Sequence, residues 1–118
     1  MNHSISLSEA IDMTTRYRNN RETVLQTGYR NIALLPICET FDKAAFESLL
    51  SAPGCAFVRI YYGMDADLKM HAIIVAADAE GQDLLPTQGL TEDDDDFEIL
   101  DRANRCPELC PPESALNS

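Results

Sequence analysis

The chain is short of positive charge and contains no long hydrophobic run. Nine lysines and arginines stand against twenty acidic residues among 118, which gives a formal net charge of −11. Nonspecific nucleic-acid binding relies on a basic surface that releases counterions, so we expect no nucleic-acid partner. Anionic membrane surfaces are disfavoured for the same reason. No apolar stretch reaches the roughly eighteen residues of a membrane span, so no spanning helix is expected.

Sequence signals for export and for common catalytic sites are also missing. The first six residues lack the basic segment and apolar run of a signal peptide, so we expect a cytoplasmic protein with mostly reduced cysteines. There is no glycine-rich phosphate loop, no Gly-x-Ser-x-Gly elbow and no His-Glu-x-x-His motif. We therefore expect no cofactor and favour a non-enzyme. Catalytic residues can assemble from distant positions, so the sequence leaves an enzyme open.

The acidic residues concentrate near the C-terminus. The run Glu92–Asp96 repels itself and favours solvent, and the prolines of the segment Cys106–Pro112 interrupt regular structure. The sequence predicts one α+β domain over residues 1–89, followed by an acidic linker and an irregular Cys/Pro-rich tail over 90–118. The tail should then be removable with little loss of stability. Asp93–Phe97 lacks the ligand spacing of a calcium loop, so a solvated linker is the better interpretation.

Two helices and an antiparallel sheet are predicted within residues 1–89. Ser6 and Glu9 form a capping box, and apolar residues recur at helical spacing as far as Gly28, although Asn19-Asn20 weakens the middle. The segment 32–37 is an extended or edge segment, and a second helix follows Thr40 or Asp42. Strands are predicted over 55–62 and 70–75, and a short third one at 83–85. The fold class is therefore N-terminal helices packed on a small antiparallel hairpin or three-stranded meander.

The register of the hairpin determines which side chains share a face. If the hairpin is symmetric about residues 65 and 66, Arg59 lies opposite Ala72, and Arg59 and His71 point to opposite faces. Val58, Ile60 and Ile73 then face the helices, with these residues opposite them: Ile11, Phe46, Leu49 and Leu50. Two helices cover only one face of such a sheet, so the other face would be an apolar patch. We expect a homodimer, and an unidentified protein partner remains open.

Part of the chain resembles a family of small uncharacterised bacterial proteins. The similarity lies in Arg59–Gly63, in Asp78–Asp83, and in Ile99–Asp101 followed by a Cys-Pro-x-x-Cys tail, here Cys106–Cys110. It covers about the last two-thirds of the chain. The resemblance implies no activity and no catalytic residues.

Four cysteines and a few polar residues are the candidates for chemistry. Cys106 and Cys110 are weak metal candidates, because a zinc site needs four ligands and neither Cys38 nor Cys55 is nearby in sequence. Their spacing is Cys-x-x-x-Cys, whereas the usual redox motif is Cys-x-x-Cys. Cys38 and Cys55 are most simply small buried hydrophobes.

Arg59 and Tyr61 are the best candidates for a ligand site. Together they could bind an anion, although an arginine stem lying on an aromatic ring explains the pattern as well. The preferred function is a non-enzymatic interaction module that self-associates. The alternative is a small ligand-binding domain or enzyme with a pocket near Arg59 and Tyr61.

Overall fold

The computed structural model describes residues 2–86 and 98–118 and has an α+β fold, as predicted. The proposed boundary at residue 89 and the acid run lie outside the described residues. Within those two ranges, no helix is long and apolar enough to cross a membrane. The elements are α1 (Leu7–Asn20), a 3-10 turn (Thr27–Tyr29), β1 (Cys38–Thr40), α2 (Lys43–Leu50), β2 (Phe57–Met64), β3 (Met70–Ala77), β4 (Asp83–Leu84), β5 (Ile99–Leu100) and β6 (Asn104–Cys106).

Strand β3 organises the larger sheet. It pairs along its whole length with β2 on one side, and with β4 and β5 on the other, all antiparallel. A second sheet pairs β1 with β6. The two sheets are connected at the start of β3, where the Ala72 N–H donates to the Glu39 carboxylate of β1 and the Met70 carbonyl accepts from Arg105 of β6. The predicted hairpin and short third strand are therefore present.

The register of the hairpin differs from the predicted one by three residues. Arg59 lies opposite Val75 and Ile60 opposite Ile74, so the hairpin is centred on Asp67. Asp65 causes the difference, because its Oδ1 accepts the N–H groups of Asp67 and Lys69 and thereby starts the turn at Asp65. Leu68, the last residue of the three-residue loop between Asp65 and Lys69, adopts a left-handed φ of 67°, as that residue commonly does in such loops.

The core forms where α2 crosses β3. Leu49 and Ile74 are almost fully buried, and Phe46 and Leu100 pack against them. The expectation that Leu49 and Phe46 face the sheet is correct. The expectation that Val58, Ile60 and Leu50 are buried is wrong, because α2 lies over β3 and β5 while β2 extends beyond it. Because the register is shifted by three residues, Ile74 shares a face with Ile60. Ile74 therefore faces α2, where Ile73 was predicted to do so.

Helix α1 ends at Asn20, earlier than Gly28, at the pair of asparagines that weakens it. Its N-cap is the predicted one, since the Ser6 Oγ accepts the Glu9 N–H at 3.0 Å. The helix has no buried residue and lies against irregular chain rather than the sheet. Tyr17 and Arg21 donate to the carbonyls of Pro36 and Leu35, each at 2.6 Å. Ile11 is therefore not opposite the hairpin.

The segment expected to be an irregular tail contributes two short strands to the fold. β5 extends the sheet at Ile74 and Val75, and β6 pairs with β1. At the end of the chain, the Arg18 guanidinium donates to the carbonyls of Leu116 and Ser118. The expectation that residues 98–118 are an independent appendage is corrected here, because β5 places Leu100 against the core.

Candidate functional site

Three polar side chains meet on the face of the large sheet that α2 does not cover. Arg59 and Tyr61 are two residues apart on β2 and so lie on the same face, and Asp83 begins β4 on the other side of β3. The Asp83 carboxylate reaches across β3 to both side chains. Its Oδ1 accepts a hydrogen bond from the Arg59 guanidinium, and its Oδ2 accepts one from the Tyr61 hydroxyl. Arg59 also donates to the Gly81 carbonyl at 2.9 Å. The cluster lies over Val75, which it helps to bury.

The preceding turn places Asp83. Asp78 Oδ1 accepts the N–H groups of Glu80 and Gln82 at 3.0 and 2.9 Å, and Gly81 adopts a positive φ of 83°. A side chain at that position would be strained, which explains the glycine. The local sequence Asp-x-x-Gly thus folds the chain back so that Asp83 enters the sheet beside Ala77.

The hydrogen bonds of the cluster favour an ionised Asp83 and a protonated Tyr61 and Arg59. Hydrogen bonds from Tyr61, and then from Arg59, hold the pKa of Asp83 below its ordinary value. The hydrogen bond to Asp83 raises the pKa of both Tyr61 and Arg59. At neutral pH the cluster is a carboxylate bound by a phenol and a guanidinium. Asp83 is therefore the anion that Arg59 and Tyr61 bind within the chain, and a ligand site at these two residues stays a prediction.

A second cluster surrounds His71 at the turn end of the same face. His71 Nε2 lies 2.8 Å from Asp65 Oδ2, and its Nδ1 lies 3.5 Å from Asp101 Oδ1. The hydrogen bond from His71, together with the Lys69 N–H, lowers the pKa of Asp65. The sequence placed Arg59 and His71 on opposite faces, and this is wrong because of the shifted register. They share a face but belong to separate clusters.

Two cavities lie beside His71. One of about 310 Å³ lies between the hairpin turn and the loop that follows β6, and its wall includes His71, Arg105 and Glu108. A smaller one, of about 200 Å³, is lined by Asp65, His71 and Asp101, among others. A third depression of about 490 Å³ runs along α1 and is mostly apolar. Neither Arg59 nor Tyr61 lines these three cavities or a further one of about 220 Å³ between Phe41 and Asp101.

The two C-terminal cysteines form a disulfide. Cys106 and Cys110 are bonded, while Cys38 and Cys55 are thiols, each half-buried rather than fully buried. A disulfide offers no thiolate, so in this state Cys106 and Cys110 cannot bind a metal. Within residues 2–86 and 98–118, no three histidine, cysteine or acidic side chains are placed to hold a metal ion. The expectation that the cysteines are mostly thiols applies to Cys38 and Cys55 alone.

Two residues that hold the sheets together were missed from sequence. The Arg105 guanidinium in β6 donates to the carbonyls of Met70, Ala33 and Leu34 at 3.1 to 3.3 Å. Glu39 in β1 accepts the Ala72 N–H. They face each other in the β1–β6 register. The only sequence signal for this contact was the opposite charge of Glu39 and Arg105. That signal can be recognised only once β1 and β6 are known to pair.

Comparison with known proteins identifies no relative: no family model matches the chain, and neither a curated protein nor a solved structure gives a significant match. The resemblance to the bacterial family therefore stays a prediction, as does the cytoplasmic location.

Proposed function

We propose that this protein is an interaction module that self-associates through the outer edge of β2. The observation that carries the proposal is that this eight-residue strand pairs on one side only, with β3, among the residues described. The opposite side of a paired strand presents unpaired N–H and C=O groups, and another strand can bind them. A two-fold dimer would join two four-stranded sheets into one.

The backbone register indicates which groups a second copy would bind. The Asp65 N–H donates to the Lys69 carbonyl at 3.0 Å, so the odd-numbered residues of β2 form the hydrogen-bonded pairs with β3. The N–H and C=O groups of Val58, Ile60 and Tyr62 then point outward. The side chains of these residues lie on one face and are exposed, Tyr62 by 75%. Hydrogen-bonding groups and apolar surface thus coincide on one edge.

β2 also lacks the features that usually protect an exposed edge. Natural edge strands carry lysine, proline or a bulge that discourages pairing. The strand Phe-Val-Arg-Ile-Tyr-Tyr-Gly-Met contains neither lysine nor proline, and its one charge is the Arg59 that binds Asp83. It is also not acidic, unlike the chain as a whole. The strand that would form the interface therefore adds no acidic charge to the repulsion between two copies.

A second copy is the partner best supported, because pairing of identical strands closes the assembly. Isologous two-fold contacts stop at a dimer, and β4 and β5 leave only two-residue segments on the other side of β3. The alternative function, a ligand-binding domain or enzyme with a pocket near Arg59 and Tyr61, has less support because Asp83 engages both side chains.

Light scattering at micromolar concentration tests the proposal with one matched pair of variants. Ile60 and Ile32 are 51% and 52% exposed, but only Ile60 lies on β2. We expect Ile60→Lys to weaken the dimer about tenfold or more and Ile32→Lys to leave it unchanged. Higher salt should tighten the wild-type dimer, because it screens the repulsion between acidic copies. A monomer at low and high salt, or equal effects of both variants, would contradict the proposal.

A further inference from the structure

Three of the four cysteines lie in or next to the smaller sheet. Cys38 in β1 lies directly opposite Cys106 in β6, and Cys106 is bonded to Cys110. Directly opposed residues of an antiparallel pair have side chains on the same face and Cα atoms about 4.5–5.5 Å apart. A disulfide spans Cα separations of about 4.4–6.8 Å. The backbone therefore places a thiol next to an existing disulfide, at a distance that a bond between Cys38 and Cys106 can span.

The two sulfurs of the disulfide differ in access. Cys106 is buried, with 2% of its surface exposed, whereas Cys110 belongs to the exposed loop that follows β6. A thiol from solvent can approach the Cys110 side, but Cys106 is shielded by the sheet. Cys38 is half-buried and already within that sheet. Cys38 is thus the thiol placed to reach the buried sulfur, and attack there makes Cys110 the leaving group.

We infer that Cys38, Cys106 and Cys110 form a thiol–disulfide exchange site. The Cys38 thiol loses its proton to solvent, and its thiolate attacks the Cys106 Sγ. The Cys38–Cys106 bond forms as the Cys106–Cys110 bond breaks, and the Cys110 thiolate takes a proton from solvent. One disulfide and one thiol are present before and after the step, so no oxidant or reductant is consumed. The site does not depend on the proposed dimer, because β1 and β6 are outside the sheet that contains β2.

The exchange moves the reactive thiol from inside the fold to its surface. Before it, the free thiol is the half-buried Cys38; after it, the free thiol is Cys110 in an exposed loop. The group that this site would take is an accessible disulfide of a small molecule or another protein. The Cys110 thiolate attacks one of its sulfurs, a mixed disulfide forms at Cys110, and the other sulfur leaves as a thiolate. The same step would link β1 covalently to β6.

Peptide mapping of the full-length protein tests the exchange. The protein is incubated near the ordinary thiol pKa of about 8.5, labelled with N-ethylmaleimide while folded, denatured in acid and digested with trypsin without reduction. Cleavage after Arg30, Lys43, Arg59 and Arg105 places Cys38 in peptide 31–43, Cys55 in peptide 44–59, and the other two cysteines in peptide 106–118. Fragmentation then shows which cysteine of the last peptide carries the label.

The expected product is peptide 31–43 linked through Cys106 to peptide 106–118, with the label on Cys110. Cys55→Ser should give the same product, whereas Cys38→Ser should lower labelling of Cys110 by about tenfold or more, because nothing then releases it. Circular dichroism verifies that both variants are folded. Label on Cys38 and Cys55 alone, with the Cys106–Cys110 bond intact, would overturn the inference. A link from peptide 31–43 to Cys110, or labelling of Cys110 that persists in Cys38→Ser, would overturn it as well.

Discussion

At the scale of single residues, Asp83 joins the two sides of the large sheet. It accepts hydrogen bonds from Arg59 and Tyr61 on β2, while its own backbone pairs with β3. The three side chains thus hydrogen-bond to one another across β3. The ion pair between Arg59 and Asp83 is partly exposed, so solvent reduces its contribution to stability. Its main effect is on the ionisation of Asp83.

We expect Asp83→Asn to make stability less dependent on pH at the acid end. The pKa of Asp83 is lowered in the folded protein, first by Tyr61 and then by Arg59, so the unfolded chain binds this proton more readily. The stabilisation is complete above the ordinary pKa of about 3.9 and disappears as pH falls through the lower folded-state pKa. The variant should therefore be less stable at neutral pH and lose less on acidification.

Urea denaturation between about pH 7 and pH 2 measures this difference. Asp67→Asn, at an exposed residue of the hairpin turn, is the control and should follow the wild type. Parallel curves for wild type and Asp83→Asn would mean that Asp83 is not held in its ionised form by the fold.

Among the elements, β3 supplies four of the eight buried hydrophobic residues in the described part of the chain, and α2 supplies Leu49. Leu49 and Leu50 are neighbours on α2, but Leu49 is 1% exposed and Leu50 is 52% exposed. Helical spacing turns one toward β3 and the other toward solvent. The stability of the larger sheet therefore depends on a narrow contact along one face of a two-turn helix.

The neighbouring leucines give a stability test within one helix. Leu49→Ala should cost about 2–5 kcal/mol, because it leaves a cavity against Ile74. Leu50→Ala should cost less than about 1 kcal/mol, because little apolar surface changes environment. Chemical denaturation followed by circular dichroism measures both. Equal costs at the two positions would place the core elsewhere.

The sequence predicts the elements well but not their register. The α+β class, the N-cap at Ser6 and the third strand at Asp83 follow from local signals, and the structure contains all three. The register depends on where the turn begins, which the Asp65 carboxylate decides by binding two backbone N–H groups. The pairing of β5 and β6 is long-range, so local signals do not predict it. The charge and proline content of that segment predicted an irregular tail instead.

For the whole molecule, the C-terminal segment completes the core rather than extending from it. Leu100 pairs with Ile74 on the second side of β3 and packs in the cluster of Leu49. The loop after β6 lies farther out, and its Leu109 is 65% exposed. The contribution of this segment to stability therefore resides in its strands.

Two alanine substitutions separate these parts of the segment. We expect Leu100→Ala to cost about 1–3 kcal/mol, which is less than a fully buried leucine because Leu100 is half-buried. Leu109→Ala should stay within about 0.5 kcal/mol of wild type. Thermal unfolding of both variants measures the difference. An unchanged midpoint for Leu100→Ala would restore the interpretation of a removable tail.

The order of the elements, in which β5 and β6 follow all the others, also has a consequence for synthesis. β3 cannot pair with β5, nor β1 with β6, until residues 99–106 have left the ribosome. Ribosome-bound chains that stop before residue 99 should therefore remain protease-sensitive even though both helices and the hairpin are complete. Such late, long-range pairing also predicts slow refolding for a protein of this size, which stopped-flow fluorescence of the tyrosines can measure.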